Sequence, residues 1–179
     1  MQNDQLKFIR DISWEQVFSD WHDREVDNFG WEEHWKGRGY DSWEEWRRHI
    51  TDPLQPQDRE WMLYEILDPE QFIVQCYAGA FKGWRQYIKD GVRKITFGEL
   101  DASSNPKAKS VFKSFPQETT IIGIRLGDEV VIIEGMHRST ALAQGARAHK
   151  KISGKVFIAL TDFDQNEQKA FKKSQIFES

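Results

Sequence analysis

The chain has 179 residues, enough to bury a core without disulfide or metal staples. It carries 25 basic against 29 acidic residues, a net charge of −4, which argues against a whole-surface attraction to nucleic acid. A lone cysteine, Cys76, excludes an intramolecular disulfide; with no secretory-leader pattern and no run of roughly 18–20 apolar residues able to span a bilayer, a cytoplasmic protein without membrane contact is expected.

Six of the eight tryptophans (Trp14, Trp21, Trp31, Trp35, Trp43, Trp46) fall in the first 50 residues. That asymmetry predicts two differently built parts: a helical, Trp-rich region over 1–91 and an α+β part over 92–179. Residues 11–50 read as helical. Ser13-Trp14-Glu15-Gln16 is a capping box, and Trp14, Val17, Phe18 and Trp21 follow the i, i+3, i+4, i+7 spacing of one helix face. Trp31 to Trp35 gives a short helical piece closed by Gly37 and Gly39. Ser42-Trp43-Glu44-Glu45 then repeats the capping box. The tryptophans at helical spacing read as core rather than as a stacking platform. His22, His34 and His49 have no metal-ligand spacing.

Pro53 and Pro56 mark a connector, after which a helix is expected from about Arg59 to Leu67. Asp68-Pro69 starts the next helix, with Asp68 as N-cap and Pro69 at its first position. Residues 79–91 leave a loop and a short helix as alternatives. Val92 to Phe97 opens the second part as a strand, with Glu99 and Asp101 at its end as candidates for a second carboxylate beside Glu134. Asn105-Pro106 begins a helix that runs to about Ser114, before Pro116. A hairpin follows: Thr120 to Leu126, a Gly127-Asp128 turn, then Glu129 to Glu134. An alanine-rich helix comes next, then a final strand, Lys155 to Thr161. Asp162-Phe163-Asp164 leads from it into a polar helix.

Chemistry concentrates where the hairpin meets the alanine-rich helix, at Glu134-Gly135-Met136-His137-Arg138-Ser139-Thr140. A strand that runs straight into a helix presents unpaired N–H groups and the positive end of the helix dipole, a ready site for an anion. Gly135 permits the sharp turn and a close approach of ligand to backbone. Arg138 is the candidate bidentate clamp on a phosphate. The N–H groups of Met136 and His137 and the hydroxyls of Ser139 and Thr140 are further candidate contacts. His137 is a candidate acid or base, and Glu134 a candidate activator of a nucleophile or holder of Mg²⁺. The structural alternative is a Glu134 that caps the helix and a His137–Arg138 pair bonded to nearby loops.

Glu134-Gly135-Met136-His137-Arg138 followed by Ala141 resembles the acid/Gly-Gly-x-His/Arg-Arg-x-x-Ala signature of the ParB/sulfiredoxin superfamily. The hairpin before it and the helix and strand after it come in that superfamily's order, over about residues 94–171. The resemblance implies a small mixed α/β domain; with no long linker in the sequence, the helical part is expected to pack directly on it. It implies a nucleotide site to which the preceding helix offers Lys107, Ser110 and Ser114. Met136 stands where sulfiredoxin has its cysteine, so the resemblance does not carry sulfinic-acid reduction. It does not carry chromosome partition either, since ParB has a Gly-Glu-Arg-Arg version of the motif and a DNA-binding domain after it. The serine kinases of the superfamily keep the acid-Gly-x-His-Arg pattern. Two functions follow as expectations. One is a Mg²⁺-dependent phosphotransferase or nucleotide hydrolase using ATP or another nucleotide. The other is a non-catalytic module that binds a protein or nucleic-acid partner through its helical region, a protein being favoured by the net charge. Arg138→Ala is expected to abolish nucleotide binding and leave the fold intact.

Overall fold

A computed structural model describes residues 3–26, 31–79, 82–87, 95–152, 154–164 and 167. Among them the chain forms strand β1 (Leu6–Ile12), helices α1 (Trp14–Val26), α2 (Trp31–Lys36) and α3 (Trp43–Thr51), β2 (Trp61–Ile66), α4 (Pro69–Gln75) and β3 (Tyr77–Ala78). It continues with α5 (Pro106–Lys113), β4 (Glu118–Leu126), β5 (Glu129–Glu134), α6 (Met136–Arg147) and β6 (Lys155–Phe163). The fold is mixed α+β. All six of these strands join one sheet in the order β1-β2-β6-β4-β5-β3, in which β4–β6 and β3–β5 are parallel and the other pairs antiparallel.

Both faces of the sheet are covered over β4, β5 and β6, and side-chain alternation shows how. Ile121, Val130, Ile132, Ile158 and Leu160 face one core, which includes Phe72 and Ile73 of α4 and Leu142 of α6. Ile122, Ile124, Val131, Ile133 and Ala159 face the other, where Trp14, Phe18, Trp21, Trp43 and Trp46 of α1 and α3 pack. Those five aromatic side chains are each less than 9% exposed, so they form core and offer no stacking platform. The capping residues act as their types require. Ser13 Oγ accepts from the Gln16 N–H at 3.2 Å, and Ser42 Oγ accepts from the Glu45 N–H at 3.0 Å. Asp68 caps α4 and Asn105 caps α5, each followed by proline.

Two expectations are corrected. Residues 61–66 form a strand, where a helix was expected over Arg59–Leu67. β2 lies inside the sheet between β1 and β6, and its Trp61 and Ile66 pack into opposite cores. Between those ends Met62 to Glu65 are half-buried, with Leu63 packed against one core and Tyr64 against the other, so apolar residues face both ways and the period-two alternation that would distinguish a strand is lost. The region 1–91 is also not purely helical, since it supplies β1, β2 and β3 to the sheet shared with 92–179. Of the strand expected at Val92 to Phe97, Thr96 makes a single bridge to Tyr77, and Val92 to Lys94 lie outside the described residues. The polar helix expected after Asp164 lies outside them as well, apart from Glu167, whose N–H donates to Asp164 Oδ1 at 2.8 Å. Among the described residues no helix is long and apolar enough to cross a membrane.

Candidate anion site at the start of α6

β5 ends at Glu134 and α6 begins at Met136, so a single residue, Gly135, makes the turn. Its φ of 93° lies in the left-handed region, which strains an L side chain. A Cβ there would sit 2.5 Å from Ile121 Cγ2. Gly135 is the N-cap of α6 and supplies no side-chain acceptor to the first-turn N–H groups. Its carbonyl accepts from the Ser139 N–H at 2.8 Å, which starts the helix.

The polar side chains of this turn divide into two sets. Arg138 belongs to the fold. Its guanidinium donates to Glu134 Oε1, to Thr119 Oγ1 and, at 3.1 Å, to the Thr120 carbonyl. Glu134 is 7% exposed, and its other oxygen lies 3.6 Å from an Arg24 guanidinium nitrogen of α1. Ser139 and Thr140, 0% and 1% exposed, are sealed from a ligand approaching the helix end. Thr140 donates its hydroxyl to the Met136 carbonyl at 2.8 Å, the usual back-bond of a helical threonine. Met136 packs its side chain into the core beside Leu142, so only its N–H can serve a ligand.

The second set is half-buried or exposed. The His137 ring stacks at 5.0 Å, tilted, on Trp84. Burial pushes its pKa down to about 4, with the positive charges of Lys107 and Arg138 acting in the same direction and Glu134 opposing. His137 is therefore a neutral imidazole at pH 7. Lys107, exposed in the first turn of α5, acts on it across the α5–α6 contact. Lys107 also lowers His34 of α2, after burial, Arg38 and Arg47. Ser110 and Ser114 are exposed, but α5 ends at Lys113 and Ser114 turns out of the helix as its C-cap. The shared Lys107–Ser110–Ser114 helix face expected from spacing is therefore broken at its third member.

Other expected contributors lie elsewhere. Glu99 accepts from Thr96 and Asp101 from Ser103 within their own loop, where they line a groove of about 580 Å³ with Arg147. A second groove of about 610 Å³ runs between α1 and α3 over Trp14 and Phe18. Neither contains a residue of the α6 turn. Cys76 is buried, donates to the Phe72 carbonyl at 3.4 Å, and has its pKa raised by burial, so it is no nucleophile.

Mg²⁺ does not fit Glu134 as placed. Its carboxylate faces two guanidinium groups, and a divalent cation would have to displace both. Among the described residues no three His, Cys, Asp or Glu side chains gather as a metal site.

The sequence missed Arg24 and Trp84. Arg24 had a signal: the apolar stripe Trp14, Val17, Phe18, Trp21 continues into Arg24 and Glu25, charged residues where the helix face calls for apolar ones. Trp84 had none, because its meeting with His137 spans 53 positions of chain. Comparison of the chain with protein-family models, with curated proteins and with solved structures finds no match.

Proposed function

We propose that the protein binds a phosphate-bearing ligand at the start of α6, and that the ligand is a nucleotide. The observation that carries this reading is the glycine-capped first turn of α6, with no capping side chain, beside Lys107. A helix end of that kind favours an oxyanion through its N–H groups and its dipole, and a lysine adds charge without fixing geometry. The neutral His137 can donate one hydrogen bond to the ligand. The resemblance of Glu134 to Ala141 to the ParB/sulfiredoxin signature supports a nucleotide over other phosphates. Ser110 of α5 is a further contact in this reading.

Binding without turnover is the form we favour. Glu134 is ion-paired to Arg138 and Arg24, which leaves it neither a free base nor a metal ligand. Any Mg²⁺ would arrive on the nucleotide. The phosphotransferase reading requires Glu134 to leave its arginines first. A protein partner would meet the outer surface of α1–α3, and we place the protein in the cytoplasm.

Titration calorimetry with ATP, CTP, GTP and ADP, each with and without Mg²⁺, tests the reading. One nucleotide should bind the wild type, and Lys107→Ala should weaken it. A ligand at a hundredfold excess over its Kd should also stabilise the fold by about 2.7 kcal/mol. No heat and no stabilisation with any of them, in the wild type and in Glu134→Gln alike, would overturn the proposal. Nucleotide hydrolysis lost in Glu134→Gln would replace the binding module with an enzyme.

A further inference from the structure

Arg24 and Arg138 reach Glu134 from different layers of the fold. Arg138 rises from α6, and Arg24 comes from α1 in the Trp-rich layer. The two guanidinium groups feel each other's charge, and Arg24 is itself largely buried. Glu134 is more than nine-tenths buried, yet among the described residues only one of its oxygens accepts a hydrogen bond. Oε2 has no such partner among them and meets Arg24 at 3.6 Å, ion-pair range without a hydrogen bond. A carboxylate optimised as a structural anchor would be expected to have both oxygens bonded. Two guanidinium groups converging on one half-satisfied carboxylate, one residue before an uncapped helix end, match the donor set of a phosphate site.

We propose that Arg24 and Arg138 form an oxyanion clamp in which Glu134 is a resident placeholder, and that a phosphate-bearing ligand binds by taking Glu134's position between them. The inference rests on the anion-site reading above and adds Arg24 and a gate to it. Glu134 is then an internal competitor: its negative charge holds the clamp together in the empty protein and repels the incoming anion. The Trp-rich layer is thereby part of the binding site, because α1 carries one half of the clamp.

Pyrophosphate and ATP, titrated calorimetrically without added Mg²⁺ into the full chain, test this. Glu134→Gln keeps the shape and removes the charge, and should tighten both ligands by about tenfold or more. Arg24→Ala should weaken both by about tenfold or more, and Arg24→Lys should recover part of the loss. Circular dichroism reports whether each variant is folded. Should Arg24→Ala not fold, Glu134→Gln and Arg24→Lys decide. A silent wild type with a Glu134→Gln variant that binds supports the gate most directly. A wild type that binds, with Glu134→Gln no tighter and Arg24 variants unchanged, overturns the clamp and leaves the anion site standing. No binding by either the wild type or Glu134→Gln overturns both.

Discussion

Arg138 donates to the carboxylate of Glu134, one helical turn before it, and the same guanidinium reaches Thr119 and Thr120 on β4. One side chain thus ties the end of β5, the start of α6 and the neighbouring strand. Removing it takes from the buried Glu134 carboxylate the guanidinium hydrogen-bonded to it and leaves Arg24 at 3.6 Å. Arg138→Ala should therefore cost about 3–5 kcal/mol, the range for breaking a buried ion pair from one side. The sequence reading made Arg138 a ligand clamp whose loss spares the fold; the structure makes it a fold residue first. Urea unfolding of the variant measures this, and an unchanged midpoint would contradict it.

Gly135 should tolerate no side chain. Alanine there incurs the left-handed backbone penalty and meets Ile121 Cγ2 at 2.5 Å. Gly135→Ala is expected to lose about 2–4 kcal/mol of stability, from strain and overpacking together. Removing the contacted methyl in Gly135→Ala/Ile121→Ala relieves the closest contact but not the backbone strain, so in thermal unfolding the double variant should lose less than the sum of the two single variants and never match Ile121→Ala alone.

His137 should make the protein acid-sensitive. Its folded pKa, about 4, lies below the unfolded value near 6.5, so the unfolded chain binds more protons between these values. The stability from keeping the imidazole neutral is fully present above about pH 6.5. It falls away as pH drops towards 4, by up to about 3 kcal/mol. His137→Gln should flatten this part of a stability profile taken from pH 4 to 8 by chemical denaturation. The His137 ring proton, followed by NMR, should still report a neutral imidazole at pH 5.5.

In the Trp-rich layer, Arg47 donates Nε to Glu25 at 2.9 Å and lies 3.7 Å from the centre of the Trp46 ring and 4.8 Å from that of Trp21. Trp43 Nε1 also donates to Glu25, at 2.7 Å. Arg47→Ala and Glu25→Ala should each cost about 3–5 kcal/mol, since each strands a buried charge. The double variant Glu25→Leu/Arg47→Met should lose less than the sum of the two alanine variants, because no charge is left alone. A double-mutant cycle by urea unfolding reads the coupling.

Cys76 should resist thiol reagents in the folded state and react only on unfolding, as its burial and raised pKa require. Labelling with an aromatic disulfide in native buffer and in denaturant compares the two. Rapid reaction in native buffer would show an open path to α4 that the packed core does not contain.

Local chemistry written in a few adjacent residues was legible from the sequence. Ser13, Ser42, Asp68 and Asn105 start helices because their side chains satisfy N–H groups three residues on, an interaction needing no distant partner. The Gly127-Asp128 hairpin and the Gly135 turn follow equally from backbone geometry. The period of Trp14, Val17, Phe18 and Trp21 fixed which face of α1 is buried. The sequence could not assign β2, because a strand with apolar residues directed to both faces shows no alternation, nor place β1, whose exposed middle carries no apolar stripe. The partner of Arg138 was four residues away and readable. The partner of Arg24, 110 residues on, was decided by the sheet that brings α1 over the end of β5. Only that packing placed the expected phosphate clamp inside a buried ion-pair network, because the field on a charged side chain is set by everything folded around it, not by its neighbours in the chain.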